Sequence, residues 1–197
     1  MSYNLEGTRI GFGLTGSHSN YDKVFSQMER LVEMKADVIP IVSYTVANID
    51  SKFGKAQEHI KKIESITGKK VVSTMPEAEP FGPKTPLDIM VLAPLTGYSL
   101  SKFANGLTDS PPLMAAKSTL RNQNPVLVGM TTNDALGLNG VNVMKLIASK
   151  LIYFIPFGQD DPFGKPNSLS SKWELIPESI VSALEFKQKQ PIIIPFQ

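Results

Sequence analysis

The sequence predicts a three-layer α/β sandwich: a mostly parallel sheet of about six strands, covered by helices on both faces. Two observations carry that prediction. Short apolar runs alternate along the chain with segments whose apolar residues recur at helical spacing. The runs are also apolar on consecutive residues, the pattern of strands buried on both faces.

The elements follow in order. Residues 9–13 form a β run that feeds a glycine-rich turn, after which Val24, Phe25, Met28, Leu31 and Val32 share one helical face. Residues 38–43 form a β-branched run whose Pro40 suits an edge or a bulge. Phe53, Ala56, Ile60, Ile63 and Thr67 keep helical spacing, and Gly68 supplies the stop. Residues 70–73 and 87–92 read as two more strands, separated by a stretch from 76 to 86 too rich in Pro and Gly to be regular. Helices are expected after Tyr98 and after Pro112. Strands at 126–129 and 151–155 flank a helix carrying Val141, Met144 and Ile147. A polar loop spans about 156–172, Pro177 opens a last helix, and residues 191–196 are an extended segment or an arm that packs on a neighbour. The expectation is one domain over residues 1–197.

Composition narrows the function. With 20 Lys+Arg against 18 Asp+Glu the net charge is +2, which gives no electrostatic case for nucleic acid or an anionic membrane as main partner. No apolar run approaches the roughly 20 residues of a membrane helix, and the first residues lack a signal-peptide layout, so a cytoplasmic protein is expected. The absence of Cys removes thiolate metal sites and thiol nucleophiles; with only His18 and His59, no metal centre is expected.

The turn at residues 11–19, GFGLTGSHS, satisfies G-x-G-x-x-G between a strand and a helix, the context that motif requires. Gly13 and Gly16 let a phosphate approach the backbone, while Thr15, Ser17 and Ser19 add hydroxyls. The same residues also suit a plainly capped helix start. A Lys for a Walker-type site is missing. An acid to hold a ribose diol is missing too, since the second strand ends in Ser43-Tyr44-Thr45 and Asp37 precedes it. The turn therefore favours a mononucleotide over a dinucleotide. A second turn, residues 93–109, combines Pro94, Leu95, Thr96, Gly97 and Ser99, with Lys102 one turn on.

The pair GLTGS and APLTGYSLSKFANGLTDS resembles the flavoprotein superfamily of phosphopantothenoylcysteine decarboxylase and the UbiX-like flavin prenyltransferases, over about the first three quarters of the chain. Pro94, Thr96, Lys102, Ala104, Gly106 and Asp109 stand in register with its second motif. The resemblance implies a Rossmann-like, flavodoxin-like fold and FMN. The FMN phosphate is implied at Thr15–Ser19 and Ser43, its ring near Pro94–Ser99, and the assembly is a homo-oligomer, often trimer-based. Tyr98 replaces the motif's Asn, and residues 81–86 hold no counterpart of the decarboxylases' catalytic His. Residues 152–180 resemble a branch of the superfamily from spore-forming bacteria that aromatises a dihydropyridine dicarboxylate together with a second chain. That implies an oxidoreductase subunit in the mother cell, with NAD(P) carried by the partner. A colourless support module for that partner, or an FMN-dependent decarboxylase or prenyltransferase, are the alternatives.

A dicarboxylate calls for cations, and Lys102, Arg121 and Lys145 are the candidates, with Asn139 as a retained substrate contact. No residue is assigned to the proton transfer. His18 contacts phosphate, shuttles a proton near neutral pH, or merely caps or packs, the last being the expectation; His59, on a charged helix face, is expected in solvent. Trp173 is read as packing. Gln159-Asp160-Asp161 is read as a turn, or as part of a lid that meets a partner chain.

Overall fold

The computed structural model describes residues 4–82 and 84–196. In chain order the elements are β1 (Arg9–Leu14), α1 (Tyr21–Glu33), β2 (Asp37–Val42), α2 (Tyr44–Asn48), α3 (Ala56–Thr67), α4 (Met75–Ala78), β3 (Ile89–Thr96), α5 (Gly97–Ala104) and α6 (Pro111–Arg121). They continue with β4 (Val126–Thr132), α7 (Gly140–Ile147), β5 (Ile152–Phe154), β6 (Phe157–Gly158), β7 (Leu169–Ser171) and α8 (Ile176–Leu184). The seven strands form one sheet in the order β2-β1-β3-β4-β7-β6, with β5 also on β4. β1 to β5 pair in parallel, whereas β7 pairs antiparallel with both β4 and β6.

Each face of the sheet buries its own core, as a strand apolar on consecutive residues requires. On one face Val24, Phe25, Met28 and Leu31 of α1, Ile63 of α3, Ile176 and Ile180 of α8 and Trp173 form one core. On the other lie Leu100 of α5, Leu113 and Ala116 of α6, and Val143 and Leu146 of α7. The two layers close tightly over β4. A Cβ at Gly129 would stand 2.7 Å from Ile155 Cδ1, 3.0 Å from Ala93 Cβ and 3.1 Å from Trp173 Cζ3. Gly129→Ala is therefore expected to cost about 1–3 kcal/mol by overpacking, read as a lower urea midpoint at unchanged slope.

Several expectations are corrected. Residues 70–73 form no sheet strand; Val72 makes a single bridge to Ile41 at the edge beyond β2. That edge position explains how β2 tolerates Pro40, whose carbonyl accepts from the Val72 amide. The polar loop contains β6 and β7, strands of two and three residues, too short for any periodicity to reveal. In α7 it is Val143 and Leu146 that are buried, while Val141 and Met144 are exposed. Phe53 precedes α3 and is exposed. Gly68 does end that helix, with φ 67°. The C-terminal segment packs on this chain: Phe157 donates to Ile192 O, and Ile194 donates to Phe157 O.

β1 lies between β2 and β3, so the chain runs outward to β2 and then back across β1 to reach β3. The order reverses there, and the two connections leave in opposite directions. A crevice results beyond the carboxyl ends of the strands, where the turns at residues 15–20, 43–45 and 96–99 converge.

Candidate functional site

Thr15 holds the crevice together. Its amide and hydroxyl both donate to Pro94 O, at 3.2 and 2.8 Å, and its Oγ1 accepts from the Thr96 amide at 2.9 Å. Its carbonyl accepts from the buried Tyr21 hydroxyl at 3.0 Å. The amide and hydroxyl of Thr15 thus join the turn after β1 to the turn after β3, its carbonyl ties the first turn to α1, and the residue is 1% exposed. Gly13 is likewise interior: a Cβ there would stand 2.6 Å from Met90 Cε and 3.1 Å from Pro112 Cβ. The structure places Gly13 and Thr15 beneath the site, the one as a packing glycine and the other as a clamp. Pro94 and Leu95 are buried in β3, where the pairing with β4 shifts register.

Two cavities open on either side of Thr96. The first, about 480 Å³, is lined by Gly16, Ser43, Tyr44, Thr45, Thr96, Tyr98, Ser99, Lys102, Asp109, Ser110 and Leu113. Ser43 is 8% exposed, and its hydroxyl has no hydrogen-bond partner. A buried hydroxyl left unpaired is costly and marks a position awaiting one. No described backbone carbonyl accepts from the Gly16 amide. A Cβ on Gly16 would come within 3.1 Å of Thr45 Cγ2, so the glycine keeps the mouth between the two turns open. Lys102 pairs with Asp109 and lies 4.2 Å from the centre of the Tyr98 ring. Asp109 first, and then Tyr98, hold its ammonium above the ordinary lysine range. Thr96 caps α5 by accepting from the Ser99 amide at 3.3 Å.

The second cavity, about 330 Å³, is lined by Ser17, Ser19, Asn20, Thr96, Gly97, Thr131, Thr132, Asn133, Asp160 and Lys165. The first turn is therefore divided between compartments, with Gly16 at the first cavity and Ser17 and Ser19 in this one. Asn139 lies behind Gly97, where it donates to Asp134 Oδ2 at 2.9 Å and accepts from Asn142. Arg121 is not brought here. It is exposed in the last turn of α6, which runs away from the crevice. Lys145 donates to Asn105 Oδ1 outside both cavities.

His18, Tyr21 and His59 form an aromatic cluster behind the first turn, with the two imidazoles 5.5 Å apart. This corrects the placement of His59 in solvent: it is half-buried, and its Nε2 is enclosed without a partner, as is that of His18. Burial first, and then His59, hold the His18 pKa below its ordinary 6.5, against a hydrogen bond with the Gly16 backbone. The unfolded chain therefore binds a proton that the folded chain resists, so stability is full above pH 6.5 and falls as pH drops toward the folded pKa. Urea midpoints between pH 7.5 and 5 are expected to show that loss, and His18→Gln to reduce it.

Sequence reading missed Asp160, Lys165 and residues 131–133 as site residues. They arrive from the end of β4 and from the β6–β7 connection, and no local motif marks them. Trp173 is 3% exposed and packs as expected. Asp161 makes a turn, accepting at Oδ1 from the Gly164 amide. Among the described residues no group of three or more His, Asp or Glu is placed to hold a metal. Among them, too, no helix is long and apolar enough to cross a membrane.

A family model described as Flavoprotein matches residues 1–156. The chain is 56% identical over 191 residues to a protein of Bacillus subtilis (strain 168) named as one subunit of dipicolinate synthase, covering 97% of this chain and 96% of that protein. It superposes on the crystal structure of the same dipicolinate synthase subunit from Bacillus halodurans C with a TM-score of 0.92 at 59% identity, over 99% of this chain and 100% of that one. The FMN-dependent cysteine decarboxylase SpaF matches at a TM-score of 0.66 and 16% identity, over 92% and 98% of the two chains, a likeness of fold alone.

Proposed function

The chain belongs to the flavoprotein family, and from that premise we propose that it is the flavin-binding subunit of a dipicolinate synthase. In this reading it takes part in oxidising dihydrodipicolinate to dipicolinate, the pyridine-2,6-dicarboxylate of sporulating bacteria. One observation carries the cofactor half of the reading, the cavity at the β1–β3 reversal, where Ser43, Thr45, Thr96 and Ser99 stand around the mouth at Gly16. The reaction half rests on the likeness to a dipicolinate synthase subunit along nearly the whole chain.

The donors suit FMN. Ser43, Thr45 and the Gly16 amide would hold the phosphate, and the wall formed by Thr96, Tyr98, Ser99 and Lys102 would lie along the ring. The place where a dinucleotide's ribose needs an acid is taken by Ser43-Tyr44-Thr45. Asp37 sits at the other end of β2, paired with Arg9 and Lys69. Bound flavin would supply a two-electron acceptor for the hydride lost when the dihydropyridine becomes aromatic. The residues here bind, orient and shield: Thr15 sets the spacing of the two turns, and Gly97 allows close packing against Thr132. The proton released with the hydride is left to water or to the partner, which we take to be the other dipicolinate synthase subunit, carrying NAD(P). The setting is the cytoplasm of the mother cell. A trimer-based homo-oligomer fits the exposed Leu136, Leu138, Val141 and Met144, an apolar face leading into α7 that one copy leaves uncovered.

The test is to titrate FMN into the purified chain and then mix the complex with dihydrodipicolinate, with and without the partner subunit. Uptake of FMN followed by bleaching of the flavin band supports the reading. A colourless chain that takes up no FMN, yet raises the turnover of its partner, favours a support module. Gly16→Val is expected to weaken FMN at least about tenfold, because the side chain would fill the mouth between Gly16 and Thr45; flavin fluorescence quenching reads it.

A further inference from the structure

We propose that the second cavity is a carboxylate-binding compartment and that Lys165 is its cation. The inference rests on the flavin reading for its position beside the cofactor, and it names the substrate class of the same site. The three cations expected from sequence are elsewhere engaged or elsewhere placed: Lys102 is paired with Asp109, Lys145 donates to Asn105, and Arg121 lies at the far end of α6. Lys165 lines the second cavity, and among the described residues no carboxylate lies within ion-pair distance of its ammonium.

Its backbone is fixed from both sides. The Lys165 amide donates to Asp161 O at 2.8 Å, and its carbonyl accepts from Ser168 at 2.9 Å. Gln159 Nε2 meanwhile donates to Pro166 O at 2.9 Å, closing the connection around it. Lys165 is exposed, so its seated backbone fixes where the ammonium can reach while the side chain still loses rotamer freedom on binding an anion. Around it stand neutral polar groups: the Ser17, Ser19 and Thr131 hydroxyls, which accept from the Asn20 amide and keep their own protons to donate, with Asn133 beside them, while the Thr132 hydroxyl is engaged by Asp134. The one carboxylate in the lining, Asp160, accepts from Ser168 Oγ at 2.6 Å, which holds one of its oxygens toward the loop. Hydroxyls and amides around a single cation suit a carboxylate, whose two oxygens take several short bonds. Thr96 is shared by both cavities, so a planar diacid with one carboxylate here would direct its ring toward the first cavity.

The test is calorimetric titration of pyridine-2,6-dicarboxylate, and of pyridine-2-carboxylate as monoacid control, into the full chain with and without FMN. The parent is expected to bind the diacid more tightly than the monoacid. Lys165→Gln is expected to weaken the diacid about 10- to 100-fold, the loss of one charge-assisted hydrogen bond. Lys165→Arg should restore most of it, and FMN affinity should stay the same in both variants. The inference is overturned if Lys165→Gln binds the diacid as tightly as the parent, if the parent binds none in either condition, or if FMN affinity falls in step. Lys165-dependent diacid binding in a chain that takes up no FMN would instead sink the flavin reading and leave this one standing.

Discussion

Thr15→Val is expected to weaken FMN at least about tenfold and to lower the stability of the chain itself. Valine matches threonine in shape, so the core beneath the crevice is kept. What is lost is the hydroxyl that donates to Pro94 O and accepts from the Thr96 amide. The Thr96 N–H would then face a methyl group, and an enclosed donor left unpaired costs about 1–3 kcal/mol. The turns after β1 and β3 would keep the Thr15 amide bond to Pro94 O but lose both bonds made by this hydroxyl, so affinity should fall with stability. Amide exchange separates the clamp from a general loss of packing. In Thr15→Val the Thr96 amide should exchange faster while amides in α8 change little, and Thr15→Ser should restore both exchange and affinity. Should Thr15→Val bind FMN as the parent does, the turns are held by something else.

What was legible in the sequence follows from how local each signal is. Consecutive apolar residues report burial on both faces, and so β1 to β4 with α1, α3, α5 and α6 could be read directly, whereas α2 and α4, of five and four residues, are too short for spacing to show, and α4 begins the stretch expected to be irregular. Gly68 could be read as a helix stop because a positive φ is a property of one residue. By contrast, α7 reads VNVMKLI within GVNVMKLI and is apolar nearly all round, so spacing alone could not choose between Val141–Met144 and Val143–Leu146. Packing against α5 made the choice. β6 and β7 are held by pairing with β4 and with the C-terminal segment, contacts no local window contains.

The site divides along the same line. That a glycine-rich turn follows β1 at the mouth of the crevice was visible in GFGLTGS. The task of each residue within it was not: Gly13, Thr15, Gly16 and Ser17 stand almost side by side yet serve a core, a clamp and two different cavities. Thr15 is spoken for by Pro94 and Thr96, which lie far along the chain at the end of β3. His59 looked solvent-facing because its neighbours in sequence are charged, whereas its neighbours in space are His18 and Tyr21. Lys165 had no motif because what distinguishes it is the lack of a partner, a property of the folded surroundings.

Ser43→Asp sets the ligand's charge directly against the fold, and the two should move in opposite directions. Ser43 is the N-cap of α2, with φ −73° and ψ 163°, and its side chain makes no capping bond. Aspartate is among the best residues for that position, and its negative charge is favourable at a helix start. The chain without flavin is therefore expected to be as stable as the parent or slightly more so. The same carboxylate would stand in the cavity proposed to hold the phosphate. Two like charges about 5 Å apart repel by roughly 3 kcal/mol at an effective dielectric constant near 20, which is a loss of at least about a hundredfold in FMN affinity. Ser43→Ala isolates the charge from the missing hydroxyl, since it should cost the hydrogen bond alone, about 1.5–3 kcal/mol to an ionised phosphate. Riboflavin, which has no phosphate, should discriminate far less between parent and Ser43→Asp, and added salt should recover part of the loss for FMN only. Equal FMN affinity in parent and Ser43→Asp would place the phosphate outside the first cavity.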